Sequence, residues 1–216
     1  MGGCIKKMDL KTELKKALEE LRKGKERKFD QTVDLIVNLQ KFNIKKDAIT
    51  VVVNVPHRIK EKKVAAFLET KSPLVDTITF AEFTKYKDKK KLKKLVKQYD
   101  FFMAQASLMP KVATTFGRFL GPAGKMPSPQ LGIILNADEK LIEGVKSKVN
   151  NSIKIKTTEA SIKVAIGKQS LKDEEIIENV MVIYNALIKA LARDQDNIKN
   201  VELKFTMTKP VKIKIR

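Results

Sequence analysis

Apolar and polar positions alternate with period two near both ends of the chain. Val33, Leu35, Val37 and Leu39 alternate with Thr32, Asp34, Ile36 and Asn38, which predicts a strand that opens at Phe29 and buries one face. Residues 49–55 predict a second strand, ended by Pro56, with His57-Arg58 just beyond it. Ile153-Lys154-Ile155 and Ile162-Lys163-Val164-Ala165-Ile166 alternate in the same way, followed by a turn at Gly167-Lys168. Residues 201–208 and 211–216 are two further alternating strands, broken at Pro210. Helical spacing accompanies them. Leu10, Leu14, Leu18 and Leu21 share one face of a helix that Asp9 caps and Gly24 stops. Ile176, Ile177, Val180, Ile183, Tyr184, Leu187, Ile188 and Leu191 line a longer helix, with Ser170 as cap and Asp173 near its third position.

The middle of the chain reads differently. Residues 62–70 predict a helix and 77–80 a short strand. Leu92, Leu95 and Val96 carry a helical stripe through the basic run 85–97. A strand at 100–106, a helix at 110–120, a strand at 133–135 and a helix at 138–149 follow. Alternating helices and strands imply a parallel sheet with helices on its faces. The economical fold class is α/β in a broad sense. Residues 1–60 and 153–216 fold together as a discontinuous α+β domain, and residues 61–152 form an inserted α/β domain. Two linkers, near 58–62 and 150–153, cross between them and can act as a hinge.

Residues 116–132 hold four of the nine glycines and three of the seven prolines, so they form a shaped loop. Three readings compete. One is an ordered cover over the end of a sheet. A second, a phosphate-binding P-loop, fails: counting back from Gly124-Lys125 places Phe119 where the first glycine belongs, and Met126 replaces the hydroxyl. The third is a nucleic-acid clamp, because Gly121-Pro122-Ala123-Gly124 has GxxG spacing. Such a clamp joins two helices, and here a strand-like run follows. Arg118 and Lys125 give the loop positive charge.

Charge narrows the partner. The net charge is +20, from 45 basic and 25 acidic residues, which points to a polyanion. The excess is spread: +7 over residues 1–60, +8 over 61–152 and +5 over 153–216. It therefore belongs to folded surface, suited to structured RNA. No apolar run approaches the roughly 18 residues of a spanning helix, so a membrane is not expected. The run 85–97 holds eight lysines in thirteen residues and reads first as a solvated helix face. Cys4 is the single cysteine and His57 the single histidine, which excludes a disulfide framework and a cysteine-rich zinc site. Met1-Gly2-Gly3-Cys4-Ile5-Lys6 begins like a myristoylation site, but Lys6 stands where Ser or Thr is expected. No signal peptide follows, and the reading is a cytoplasmic protein. A nucleotide-using enzyme would need a GxGxxG, a P-loop or a metal cluster, and none is present. Neither a catalytic residue nor a cofactor is assigned. His57 reads as a hinge residue or a surface imidazole.

The string Gly117-Arg118-Phe119-Leu120-Gly121-Pro122-Ala123-Gly124-Lys125-Met126-Pro127-Ser128-Pro129 resembles the signature loop of the L-one family of large-subunit ribosomal proteins. Lys28-Phe29-Asp30-Gln31-Thr32-Val33-Asp34 resembles that family's first-strand motif, and Val55-Pro56-His57 its strand end before the hinge. Phe205-Thr206-Met207-Thr208-Lys209-Pro210 resembles its Thr-Met-Gly motif. The short motif forms resemble archaeal members. The resemblance implies a split α+β domain with a Rossmann-like insertion. It also implies binding to the large-subunit ribosomal RNA stalk beside the tRNA exit site, assistance in release of the exit-site tRNA, and repression of its own messenger RNA. Carried over by motif, the RNA-binding residues are Phe29, Thr32, Thr206, Met207 and Thr208, with Glu19 as an acidic contact. Lys28 and Lys168 are added for their charge and expected location. Thr208 stands where bacterial-type members have Gly, and its hydroxyl is expected to bond a ribose 2′-hydroxyl. A free-standing messenger-RNA regulator is the alternative that keeps the same chemistry. The free protein is expected to be a monomer.

Overall fold

The computed structural model describes residues 7–24, 27–43, 49–86, 88–129, 131–135, 138–157 and 159–213. The start 1–6, residues 25–26 and 44–48, Lys87 of the basic run, Gln130 of the loop at 116–132, and residues 214–216 of the last expected strand lie outside them. The elements begin with α1 (Lys7–Arg22), β1 (Thr32–Leu39), β2 (Thr50–Asn54), β3 (Val64–Phe67) and β4 (Asp76–Ile78). A 3₁₀ stretch (Phe80–Tyr86), α2 (Lys89–Gln98), β5 (Phe101–Gln105), α3 (Met109–Leu120), β6 (Ile133–Ile134) and α4 (Glu139–Asn150) follow. The chain closes with β7 (Ser152–Lys156), β8 (Ser161–Lys168), α5 (Asp173–Ala190), β9 (Ile198–Phe205) and β10 (Val211–Ile213). It divides into two compact units, residues 1–60 with 151–216, and residues 61–150.

In the first unit, four antiparallel strands run in the order β10-β9-β1-β8, and β2 pairs antiparallel with β7. Strict alternation in β1 buries Val33, Leu35, Val37 and Leu39. They join Leu10, Leu14, Leu18 and Leu21 of α1 and Ile176, Val180, Ile183 and Leu187 of α5 in one core. Each such side chain contributes about 1.5–3 kcal/mol on burial. Asn54 lies opposite Ser152, and the Val55 N–H donates to the Asn151 carbonyl at 2.7 Å. The chain therefore leaves this unit and re-enters it on adjacent strands.

The second unit is a parallel sheet in the order β4-β3-β5-β6. Its central strands β3 and β5 are covered on both faces. Ala65, Phe67, Phe102 and Ala104 pack with Leu92, Leu95, Val112 and Phe116, while Val64, Ala66, Leu68 and Met103 pack with Ile142 and Val149. This corrects the expectation of a helix over 62–70. Residues 64–68 form an unbroken apolar run because a strand buried on both faces needs no alternation.

Smaller corrections have local causes. Asp9 lies inside α1 rather than ahead of it. Gly167 and Lys168 end β8 instead of forming a turn. Residues 206–208 leave the ladder as a turn after β9. Lys172, not Ser170, occupies the cap position of α5, and its N–H donates to the Glu175 carboxylate at 3.4 Å. Ser170 is occupied elsewhere: its hydroxyl donates to Asp30 at 2.9 Å and its N–H at 3.1 Å.

Candidate nucleic-acid interface

The segment entering β1 and the turn leaving β9 meet at one end of the antiparallel sheet, because Val33 pairs with Phe205. The Thr32 N–H donates to Thr206 Oγ1 at 3.1 Å, the Thr206 hydroxyl donates to the Thr32 carbonyl at 3.3 Å, and the Thr206 N–H donates to the same carbonyl at 3.1 Å. Thr208 closes the turn on itself. Its Oγ1 accepts from the Phe205 N–H at 2.9 Å and donates to the Phe205 carbonyl at 3.4 Å. A hydroxyl has one donor and two acceptor sites. Both threonine hydroxyls have spent the donor and one lone pair inside the protein, and each keeps one acceptor site for an outside group. Thr208 therefore takes up the close contact that a glycine would leave open. It can receive a bond from a ribose 2′-hydroxyl but cannot donate one without breaking the turn.

Gln31 organises this end of the sheet, and no spacing rule pointed to it. It is 2% exposed. Its Oε1 accepts from the Met207 N–H at 3.2 Å, its Nε2 donates to Gln169 Oε1 at 3.2 Å, and its carbonyl accepts from the Gln169 N–H at 2.8 Å. One buried amide thus ties the start of β1, the turn after β9 and the connection between β8 and α5. Arg22 fastens the end of α1 to the same connection through Asp173 at 2.8 Å and the carbonyls of Gln169 and Leu171 at 3.2 and 3.0 Å.

On this frame sit two apolar side chains that are not core. Phe29 is 51% exposed and Met207 58% exposed. Leaving a phenyl ring and a thioether in water is unfavourable unless something else covers them. Lys28 precedes Phe29 in the chain, and Lys168 pairs with Thr32 across the ladder. Lys28 is exposed, and Lys168 lies 3.6 Å from Asp30 with its side chain half-exposed. Burial pushes the Asp30 carboxyl up, but bonds from the Ser170 hydroxyl and N–H together with Lys168 outweigh it and hold the pKa below 3.8. Glu19 sits on the exposed face of α1. The end of that helix abuts the turn: a Cβ on Gly24 would stand 3.8 Å from Thr208 Cγ2.

The glycine-rich loop is a separate construction in the second unit. Gly124, at φ +68°, stops α3: the Lys125 N–H reaches the Leu120 carbonyl at 3.0 Å and the Gly124 N–H the Gly121 carbonyl at 2.9 Å. The GxxG spacing is thus a helix terminus. Lys125 turns inward, donating to the carbonyls of Val96 and Tyr99 at 2.7 Å each. Met126 packs against the core and Pro127 is buried, while Arg118 and Pro122 are exposed and Gly117 half-buried. A Cβ on Gly132 would come within 3.1 Å of the Phe102 carbonyl, so the loop runs directly against β5. This is the geometry of an ordered cover.

His57 is pinned to α5. Its ring Nε2 lies 2.7 Å from Glu178 Oε2, and its backbone exchanges bonds with the buried amide of Asn179 at 3.1 and 3.0 Å. Among the described residues no group of three His, Cys, Asp or Glu could hold a metal ion, and no helix is long and apolar enough to cross a membrane.

Residues 17–209 match the model of the ribosomal protein L1p/L10e family. The chain belongs to that family. It is 35% identical to the large ribosomal subunit protein uL1 of Nanoarchaeum equitans, over 91% of this chain and 97% of that one. Against uL1 of Pyrobaculum islandicum it is 35% identical, over 98% and 96%. Against that of Thermococcus kodakarensis it is 34% identical, over 93% and 96%. The family is a structural one without enzymatic activity, and the mixed helix-and-strand architecture agrees with it. Within the family match lie Glu19, Lys28, Phe29, Thr32, Lys168 and the turn Thr206-Met207-Thr208.

Proposed function

We propose that this protein is a structural constituent of the large ribosomal subunit in the cytoplasm, anchored on ribosomal RNA through the Phe29–Thr32 segment and the 206–208 turn. The observation that carries the reading is the pair of exposed apolar side chains, Phe29 and Met207, held on a closed network of threonine and glutamine bonds. RNA is recognised by shape, by sugar hydroxyls and by splayed bases, for which a rigid apolar platform with free acceptor sites is suited. Lys28 and Lys168 add phosphate contacts, whose affinity comes from released counterions. Glu19 accepts from a base or ribose donor beside them.

The same surface serves a similar fold in the protein's own messenger RNA and so represses its translation. The inserted unit moves about the two adjacent crossings of the chain as the exit-site tRNA departs. A titration with the stalk fragment of large-subunit RNA, against an unrelated hairpin of equal length, tests the anchor. Thr206→Ala and Met207→Ala are expected to lose the preference for the stalk while remaining folded. Equal binding to both RNAs, unchanged in the variants, would mean that charge alone acts.

A further inference from the structure

The lysines of α2 form a surface that the turn after β9 does not explain. Lys89, Lys90, Lys91, Lys93, Lys94 and Lys97 are all exposed, while Leu92, Leu95 and the half-buried Val96 fix the helix to the core of its unit. Among the described residues none of the six ammonium groups pairs with a carboxylate. Asp88 is spent on the helix start, where it accepts from the Lys90 N–H at 3.0 Å. A solvated helix face normally interleaves both signs of charge. This one repels itself instead, since Lys89 faces Lys93, Lys90 faces Lys94 and Lys93 faces Lys97 at four-residue spacing. The protein also reinforces it, because Lys125 places a further ammonium on the last carbonyls of the helix. That contact favours the helix dipole but adds to the local positive field.

We infer that the lysine face of α2 is a second, sequence-independent docking surface of this protein, and that its partner is the phosphate backbone of duplex RNA. Three features fit that partner. The run contains lysine without arginine, so it offers compact point charges that meet phosphates without a fixed fork geometry, as sequence-independent contact requires. The helix exposes no aromatic ring, and Tyr99 beyond its end is buried, so α2 offers no platform of its own on which single-stranded bases would stack. The chain belongs to a family of ribosomal proteins, whose surroundings are structured RNA. Contact with phosphates would relieve the self-repulsion of the helix. The surface lies in the second unit and does not rest on the anchoring role of Phe29 and Met207.

The test uses the full chain with Lys90→Gln, Lys94→Gln and Lys97→Gln combined. A control carries Lys63→Gln, Lys140→Gln and Lys148→Gln, the same loss of charge on the same unit. The probe is an RNA duplex of unrelated sequence, titrated at several salt concentrations. Each lost phosphate contact lowers the log–log salt slope by about 0.9, so the α2 variant should lose about two to three units of slope and bind tenfold or more weakly at low salt. The control should bind within about twofold of wild type, and a third variant with arginine at the three α2 positions should bind as wild type does. The melting temperature of the α2 variant should not fall, since repulsion has been removed. Equal losses in the α2 variant and the control, or no loss in either, would overturn the inference. So would failure of the arginine variant to bind, or competition by polyglutamate as strong as that of the RNA duplex.

Discussion

At the scale of single residues, stability and recognition separate. Gln31 is buried and every polar atom of its amide has a partner, whereas Met207 stands in water. Gln31→Ala leaves the Met207 N–H and Gln169 Oε1 without partners, which costs about 1–3 kcal/mol. Met207→Ala should change stability by less than about 0.5 kcal/mol while weakening RNA binding. Urea unfolding of both variants checks this, and equal destabilisation would place Met207 in the core after all. Asp34 gives a prediction with a sign. Burial raises its pKa above 3.8, and the attraction of Lys204 opposite it does not compensate. Its charge therefore costs stability at neutral pH, and the cost disappears as the pH falls through the raised folded value. Asp34→Asn should be more stable than wild type near neutrality, with the gain shrinking toward pH 3.8 in parallel denaturant titrations. The motifs that hold Phe29, Thr32 and Thr206 to Thr208 were legible in the sequence because each is a short unbroken string. Gln31 was not, since its partners lie 138 and 176 residues away and nothing local distinguishes a buried glutamine from an exposed one.

At the scale of elements, legibility followed periodicity. β1 and α5 could be read directly, because each has one wet face and one dry face. β3 could not, because both of its faces are dry and a run of Val-Ala-Ala-Phe satisfies helix and strand alike. The glycine-rich loop was legible as a loop but not in its purpose, which lies in a long-range contact. Lys125 reaches the carbonyls of Val96 and Tyr99, 29 and 26 residues back, at the end of a helix whose lysines repel one another. Six lysines without an ion pair among the described residues leave α2 dependent on its cap at Asp88, its two buried leucines and this terminal ammonium. Lys125→Met keeps the stem of the side chain and removes its charge. Bonds of this charged kind contribute about 1.5–3 kcal/mol, and the loss should be local to the second unit. Hydrogen exchange should show faster opening of amides 95–99 with β1 and β9 unchanged. Uniform acceleration across both units would refute the assignment of Lys125 to α2.

At the scale of the whole molecule, the insertion grows from a single point. Asn54 pairs with Ser152, and Val55 bonds Asn151, so the two passages of the chain are already joined within the first unit. Among the described residues, the core of that unit draws its side chains from residues 10–59 and 153–213. The residues proposed above to face RNA likewise fall outside the insertion. Replacing residues 61–150 by a short glycine-serine linker closes a small loop in place of a folded unit, and loop-closure entropy grows only slowly with length. The shortened protein should unfold in one cooperative transition, retain its helix and strand signals, and bind the stalk RNA with the preference of the full chain. The inserted unit carries +8 of the +20. Overall affinity should therefore fall and salt dependence flatten, while discrimination between stalk and hairpin is preserved. A shortened protein that folds and loses discrimination would move the recognition surface to residues 61–150. One that fails to fold would show that the first unit depends on contacts its own core does not contain.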